Sequence, residues 1–253
     1  MKITFLGTGT SQGVPVIACD CKTCRSAHPE DKRLRASILV ETDELCIVID
    51  TGPDFREQML RENVKKLDAV LFTHEHRDHI AGLDDIRAFN FIAGKPVEVY
   101  GEERVYRVLQ QEFSYIFSEK KYPGVPEINF HLINEEPFKI GRLTIQPVRA
   151  MHYMLPVLGF RIGDFAYVTD ANQISEKEKE KLKDLKLFVV CALRKKRHIS
   201  HYTLNEAIEL IHEIHPETAC LTHISHQMGL HSEIQKELPE NVFLAYDGLK
   251  IEI

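Results

Sequence analysis

Residues 74–79 place three imidazoles, those of His74, His76 and His79, and the carboxylate of Asp78 directly after an apolar, strand-like stretch. Neutral imidazole nitrogens bind transition metals well, and aspartate adds a harder oxygen ligand. A histidine-rich surface loop is the alternative, but a solvated loop gains nothing from histidine over lysine, glutamate or serine. Residues two apart in an extended segment point the same way, so His74 and His76 are predicted to share one metal. Asp78 and His79 are then predicted to turn toward a second metal.

The composition is typical of a globular protein. Of the 253 residues, 43% are apolar and 28% are charged, which excludes disordered and fibrous chains, and we predict one domain over residues 1–253. The formal net charge of -6 argues against a broad nucleic-acid surface, although Arg194–Arg197 form a local basic cluster. No apolar stretch has the length of a bilayer span, and the chain starts with a strand-like segment rather than a signal peptide. We therefore expect a cytoplasmic protein without a membrane partner.

Apolar runs and turn residues predict strands and helices that are interspersed along the chain. Strands are expected at residues 2–6, 36–41, 45–50, 67–72, 97–100, 128–133, 143–148, 158–162, 165–169, 187–192, 220–222, 242–246 and 249–253. Helices are expected after Pro53 and at residues 80–91, 103–117, 175–182 and 204–214. Segments 70–76 and 220–226 are alike, since each is an apolar strand that ends in Thr-His and carries a further histidine. This likeness indicates two related halves whose strand ends meet at one site.

Three further ligand candidates, His152, Asp170 and His223, follow predicted strands. Asp170 taken alone could equally be the N-cap of the next helix, but the company of the other residues favours a metal ligand. The predicted ligand sets are His74, His76 and His152 for one metal, Asp78, His79 and His223 for the other, and Asp170 as a bridging carboxylate. Two metals about 3.5 Å apart can activate a shared water and clamp the oxygens of a phosphate ester.

These seven residues, in this order, resemble the metallo-β-lactamase superfamily of binuclear hydrolases. The glycine-rich segment Gly7–Thr10 and Asp50 after a strand also resemble that family, so the likeness covers essentially the whole chain. The resemblance implies an α/β fold, the αββα four-layer sandwich with two mixed β-sheets and the metals at the upper edge between them. It also implies two zinc or manganese ions at the active site.

Cys19, Cys21 and Cys24 lie too close together for ordinary mutual disulfides, and a reducing compartment favours metal binding. Three thiolates need a fourth ligand to complete a structural zinc site, and His226 is the preferred candidate because it follows His223 closely. Three free thiols are the alternative. The Cys3His arrangement is similar to that of PhnP-like cyclic phosphodiesterases and of PqqB-type proteins, and the complete set of seven ligands fits the former better.

The PhnP-like resemblance implies that His201 is the non-ligand histidine beside the scissile phosphate, and that Asp78 and His201 are the catalytic residues. A protonated imidazole at His201 would stabilise phosphoryl charge or protonate the leaving oxygen. His198 is the open alternative for this role.

We predict a phosphodiesterase that acts on a small phosphate ester, with a cyclic ribose phosphate as one candidate. A tRNase Z-like endonuclease is the alternative enzyme, although the chain shows no basic arm for tRNA and nucleic acid is not an expected partner. A non-catalytic metal-binding or redox-sensing module is the alternative from a different class. A homodimer is a possible assembly.

Overall fold

A computed structural model describes residues 1–253. The strands are β1 (Lys2–Gly7), β2 (Ser37–Glu41), β3 (Cys46–Ile49), β4 (Ala69–Leu71), β5 (Val97–Gly101), β6 (Ile128–Leu132), β7 (Phe138–Ile140), β8 (Leu143–His152), β9 (Leu155–Ile162), β10 (Phe165–Val168), β11 (Gln173–Ile174), β12 (Leu187–Cys191), β13 (Thr218–Thr222), β14 (Val242–Leu244) and β15 (Lys250–Glu252). The helices are α1 (Lys22–Arg25), α2 (Phe55–Arg61), α3 (Arg77–Ile80), α4 (Arg87–Ala93), α5 (Glu103–Glu112), α6 (Ser114–Phe117), α7 (Glu176–Lys179), α8 (Leu204–Ile214) and α9 (His231–Ile234). Short 3-10 turns lie at Pro29–Asp31, Leu83–Ile86, Glu180–Leu182 and Gln235–Glu237.

Two sheets of similar construction form the centre of the fold. The first has the order β15-β1-β2-β3-β4-β5-β6, and the second has the order β11-β8-β9-β10-β12-β13-β14 with β7 beside β8. Along each order the first three pairings are antiparallel and the last three are parallel. This shared pattern agrees with the two related halves expected from the sequence, and β4 and β13 both lie in the parallel part of their sheets.

Three apolar clusters separate four layers. One cluster lies between the sheets and joins Phe5 and Ile49 of the first sheet to Phe160 of the second. A second packs Leu210 of α8 and its neighbours on the outer face of the second sheet. The third packs Phe55 of α2 and its neighbours on the outer face of the first. The predicted αββα sandwich with two mixed sheets is therefore confirmed.

The helices are mostly short, and their ends have local causes. The predicted helix over residues 80–91 is divided into α3, a 3-10 turn and α4, and the predicted helix over 103–117 is interrupted at Phe113. By contrast, α8 begins with a complete capping box, in which Thr203 and Glu206 satisfy each other's backbone N–H groups. None of the helices combines the length and apolarity that a membrane span requires.

Gly52 and Gly82 allow the loop after β3 and the turn after α3 to touch. A Cβ atom at Gly52 would lie 2.2 Å from the Asp78 carbonyl oxygen, and one at Gly82 would lie 2.2 Å from the Gly52 carbonyl oxygen. Only glycine permits such backbone contact. The Gly82 contact lies where the predicted helix over residues 80–91 is divided, and the Gly52 contact holds the backbone that carries Asp78.

Candidate metal and active site

The predicted ligands meet at the carboxyl ends of strands from both sheets. One ligand atom each of Asp78, His79, Asp170 and His223 lies within 4.8 Å of the others, and the same holds for His74, His76 and Asp170. A third group at this spacing contains His152, Asp170 and His201. Asp170 therefore belongs to all three groups, as a carboxylate shared between two metals would.

The structure refines the predicted positions of His152 and Asp170. His152 is the last residue of β8 rather than a residue of a following loop, because β8 runs four residues past the predicted end. Its ring lies 5.3 Å from that of His76, which places it beside the predicted first set. Asp170 is not a helix N-cap, since β11 comes next in the chain and the following helix, α7, is capped by Ser175.

The backbone at this edge is held in an unusual conformation. Asp50, Asp170 and His223 each follow a strand and have φ values of 65°, 51° and 56°. Left-handed geometry at residues other than glycine costs roughly 1–2 kcal/mol each, and such residues cluster at functional sites. The left-handed turns direct Asp170 and His223 toward the shared centre and direct Asp50 toward Nδ1 of His79.

Hydrogen bonds fix which nitrogen of each histidine is available. His79 Nδ1 lies 2.7 Å from Asp50 Oδ2, and His152 Nδ1 lies 2.8 Å from the Ser200 carbonyl oxygen. His74 Nδ1 lies 3.0 Å from Thr73 Oγ1, which itself donates to Asp50 and therefore accepts from the imidazole. In each ring Nδ1 carries the proton, so the lone pair of Nε2 is free, as in histidines that bind metals.

The free nitrogens fit a divalent cation. The Nε2 atoms of His74, His79 and His223 are buried and have no hydrogen-bond partner. Asp170 Oδ1 lies 3.0 Å from His223 Nε2 and 3.5 Å from His79 Nε2. Buried polar atoms without a partner are costly, and this set of imidazole and carboxylate donors is one that zinc and manganese accept.

The buried carboxylates at the site also favour binding of a cation. Burial disfavours a proton on His79, yet Asp78, Asp50 and Asp170 raise its pKa well above the usual value. Burial likewise opposes ionisation of Asp170, but His223 and His79 hold its pKa well below the usual value. Burial and the charge at His79 lower the pKa of His74, which keeps that imidazole neutral. In the absence of metal these carboxylates favour a second proton on His79, at Nε2, and a bound cation would take the place of that proton and supply the charge instead.

Asp50 is the functional residue whose role the sequence did not reveal. It is fully buried and accepts hydrogen bonds from the Thr73 N–H at 2.9 Å and from the Thr73 hydroxyl at 2.8 Å, besides that from His79. Through Thr73 it also orients His74. The available signal was its position directly after an apolar strand, which it shares with Asp170.

Replacing Asp50 with asparagine is expected to weaken metal binding at the binuclear site by about 10- to 100-fold. Either orientation of the amide directs an NH2 group at an N–H or O–H donor of Thr73 or His79. Competition with a fluorescent chelator measures the affinity, and Asp43→Asn in the exposed β2–β3 turn is the matched control. Unchanged affinity in Asp50→Asn would show that the carboxylate does not orient the ligands.

His201 lies against the ligand groups, and His198 lies behind it. The His201 ring is 4.5 Å from that of His152 and 4.8 Å from that of His223, whereas His198 is 5.2 Å from His201. Burial and the charge at His223 lower the pKa of His201 to about 3. A pKa this low favours a neutral ring that donates one N–H over the protonated imidazole that the sequence suggested.

The three clustered cysteines and His226 form a second group. The Sγ atoms of Cys19, Cys21 and Cys24 lie 3.2, 3.4 and 3.4 Å from His226 Nδ1. Zinc–sulfur and zinc–nitrogen bonds in a tetrahedral site predict about 3.5 Å for this separation. The Cys24 backbone N–H lowers the pKa of the Cys21 thiol to about 6, which favours the thiolate form that zinc binds. None of the six cysteines is in a disulfide.

Substituting Cys21 with serine is expected to remove the tightly bound zinc and to lower thermal stability. The zinc would link α1 to the loop after β13, and a loss of about 3 kcal/mol lowers the midpoint by roughly 10 °C in a chain of this size. Metal analysis and calorimetry measure both effects, with the exposed neighbour Lys22→Ala as the matched control. A Cys21→Ser protein that keeps its tight zinc and its melting temperature would refute the structural site.

Comparison with known proteins agrees with this geometry. The profile of the β-lactamase superfamily domain matches residues 46–224. An octanoyltransferase of Porphyromonas gingivalis is 41% identical over 253 residues, which are 99% of this chain and 51% of that protein. A ribonuclease Z of Crocosphaera subtropica is 31% identical over 168 residues, which are 65% of this chain and 48% of that protein. The chain thus spans about half the length of these curated relatives.

One solved structure is similar over almost its full length. The crystal structure of a diphosphatase from the PhnP family matches with a TM-score of 0.94 and 40% identity, covering 100% of this chain and 97% of that one. The likeness to PhnP-like proteins expected from the histidine and cysteine motifs is confirmed.

Proposed function

Because the chain belongs to the β-lactamase superfamily, we propose that it is a binuclear metal-dependent hydrolase of a small phosphoric diester. The observation that carries this function is the position of Asp170, whose carboxylate is common to three groups of candidate ligands. Ligands come from both sheets, so we take residues 1–253 as one functional domain. The similarity to a PhnP-family diphosphatase supports chemistry at phosphorus.

Each predicted ligand has a place in this proposal. His74, His76 and His152 would hold one metal, Asp78, His79 and His223 would hold the other, and Asp170 would lie between them. When bound, two zinc or manganese ions lower the pKa of a bound water and neutralise phosphoryl oxygens. The thiolates of Cys19, Cys21 and Cys24 and the imidazole of His226 would hold a separate structural zinc.

The chain's own groups position the substrate and assist the departing oxygen. His201 would donate an N–H to the phosphoryl or leaving oxygen, since its ring lies beside those of His152 and His223. His201 is mostly buried, which strengthens such a hydrogen bond by excluding water. Asp50 would keep His79 and His74 in the tautomer that binds metal.

Two other activities suggested by relatives are less well supported. Ribonuclease Z relatives share the fold, but the net charge of -6 disfavours a tRNA-binding surface. An octanoyltransferase activity is less well supported, because this chain spans only 51% of the relative that has this name.

Hydrolysis of a matched set of phosphate compounds tests this function. The metal-loaded protein would be assayed with bis(p-nitrophenyl) phosphate, p-nitrophenyl phosphate, a cyclic ribose phosphate and a precursor tRNA. We expect turnover of the diester and the cyclic ester, and little of the monoester or the RNA. Cleavage of the RNA at its 3′ end with no activity on the small diesters would favour the endonuclease instead.

A further inference from the structure

The hairpin tip that follows His152 and the loop that carries His201 expose three large apolar side chains. The exposed fractions are 53% for Tyr153, 74% for Met154 and 62% for Ile199. Single exposed apolar residues are common on protein surfaces, but these three flank the candidate ligand and the candidate donor in sequence. An apolar surface next to a few convergent polar groups is typical of a ligand-binding mouth.

One side chain ties the two loops together. The Asn172 Oδ1 atom accepts from the Tyr153 N–H at 2.8 Å, and its Nδ2 group donates to the Ile199 carbonyl oxygen at 3.1 Å. His152 pairs with Leu155, so Tyr153 and Met154 form the two-residue tip of the β8–β9 hairpin. Tyr153 has a φ of 58°, a conformation that hairpin tips usually fill with glycine or asparagine. An aromatic ring is therefore presented at this tip against the local backbone preference.

Free positive charge lies on the same loop as His201. Within the basic cluster, Arg194 donates to the side chain of Gln227, and Lys195 forms an ion pair with Glu237. Lys196 and Arg197 are exposed, and neither side chain has an ion pair or a hydrogen bond within the chain. These two cations immediately precede His198, and they are available to an anionic ligand.

We propose that the surface formed by Tyr153, Met154, Ile199, Lys196 and Arg197 recognises a nucleotide ester. This proposal rests on the phosphoric diester hydrolysis proposed above. The base stacks on Tyr153 beside Met154 and Ile199, and a further phosphate pairs with Lys196 and Arg197. A nucleotide combines both features in one small phosphate ester, since it carries a flat base and additional phosphate charge. Stacking on an aromatic side chain tolerates any base, because every base has a π-face.

Two esters with the same leaving group separate recognition from chemistry. Thymidine 5′-(p-nitrophenyl phosphate) carries a base, and methyl p-nitrophenyl phosphate does not. We expect the wild-type protein to prefer the thymidine ester by at least about tenfold in kcat/KM, and Tyr153→Ala to lower this preference about tenfold. Tyr153→Phe keeps the ring and should keep the preference. Phe91→Ala, which removes an exposed aromatic side chain on α4, is the matched control.

The 3′-phosphorylated form of the thymidine ester tests whether Lys196 and Arg197 bind a further phosphate. The double variant Lys196→Gln and Arg197→Gln should raise its KM several-fold more than that of the unphosphorylated ester, and added salt should reduce the difference. Hydrolysis of both p-nitrophenyl esters without a preference for the base would overturn the nucleotide assignment while leaving the proposed function intact. No hydrolysis of either ester would overturn the proposed function itself.

Sedimentation of the wild-type protein and of Tyr153→Ala tests whether a second copy of the chain, rather than a nucleotide, covers the exposed apolar side chains. A dimer that dissociates in Tyr153→Ala, with equal changes in kcat/KM for both esters, would show that a second copy of the chain covers this surface. That outcome would also overturn the nucleotide assignment. A mass that is unchanged by the substitution supports it.

Discussion

Replacing Asp170 with alanine is expected to reduce turnover of a phosphodiester by about 1,000-fold or more. Asp170 is shared by the three groups of candidate ligands, so its loss would remove the carboxylate that we propose lies between two metals. The fold should remain, because the hydrogen bond between Asp170 Oδ1 and the Thr169 hydroxyl is local, at 2.7 Å.

Metal analysis, circular dichroism and kcat/KM on the same preparations check this expectation. Asp170→Asn keeps the shape of the side chain without its charge and should lose comparable activity. Asp164→Ala, in the exposed turn before β10, is the matched control. An Asp170→Ala protein that is folded, binds metal normally and hydrolyses the diester at the wild-type rate would remove Asp170 from the site.

Replacing His201 with alanine is expected to lower turnover by about 100- to 10,000-fold on a diester with an alkoxide leaving group. An alkoxide needs a hydrogen bond or a proton as the bond to phosphorus breaks. A nitrophenolate needs little of either, so the loss should shrink with that leaving group. Metal occupancy at the binuclear site should stay complete.

His198→Ala is the matched control for His201, because both histidines lie in the loop before α8. We expect it to change turnover by less than about threefold. Equal losses on both leaving groups in His201→Ala would indicate stabilisation of phosphoryl charge rather than assistance to the leaving oxygen. Loss of metal would make His201 a ligand, and a larger effect in His198→Ala would transfer the donor role to that residue.

The candidate ligands chosen from the sequence lie close together in the structure, and they could be chosen because metal binding imposes a strong local signal. The segment from His74 to His79 is short, and chemistry alone makes it unusual. Asp170 and His223 were identifiable because each follows an apolar strand, and parallel strands bring their carboxyl ends to one edge of a sheet. The pairing of His226 with the cysteine loop followed from the need for a fourth zinc ligand.

Other features depend on contacts between distant segments and could not be predicted in this way. The contact between Gly82 and the Gly52 carbonyl oxygen lies where the segment predicted as one helix over residues 80–91 is divided. Asp50 resembles Asp170 in sequence, and only the fold shows that it faces Thr73 and His79 rather than the shared centre. The four-layer arrangement followed from the family resemblance, since strand periodicity does not specify which strands are neighbours.

The burial of Arg33 is another feature that the local sequence does not predict. Arg33 is almost fully buried and donates to the Thr8 hydroxyl at 2.8 Å and to the Ala245 carbonyl oxygen, with His231 Nδ1 at 3.2 Å. Burial lowers the pKa of the guanidinium to about 10, against the opposing influence of Asp247. Arginine in a polar stretch of sequence is usually exposed, so nothing local predicts this position.

The dependence of activity on metal stoichiometry tests the central claim most directly. A mild chelator would strip the binuclear site while leaving the zinc held by thiolates, and manganese or zinc would then be added back in measured amounts. We predict that hydrolysis of methyl p-nitrophenyl phosphate disappears on stripping and returns fully at about two equivalents of metal per chain. Full activity in the stripped protein, or full recovery at a single equivalent, would contradict a binuclear hydrolase.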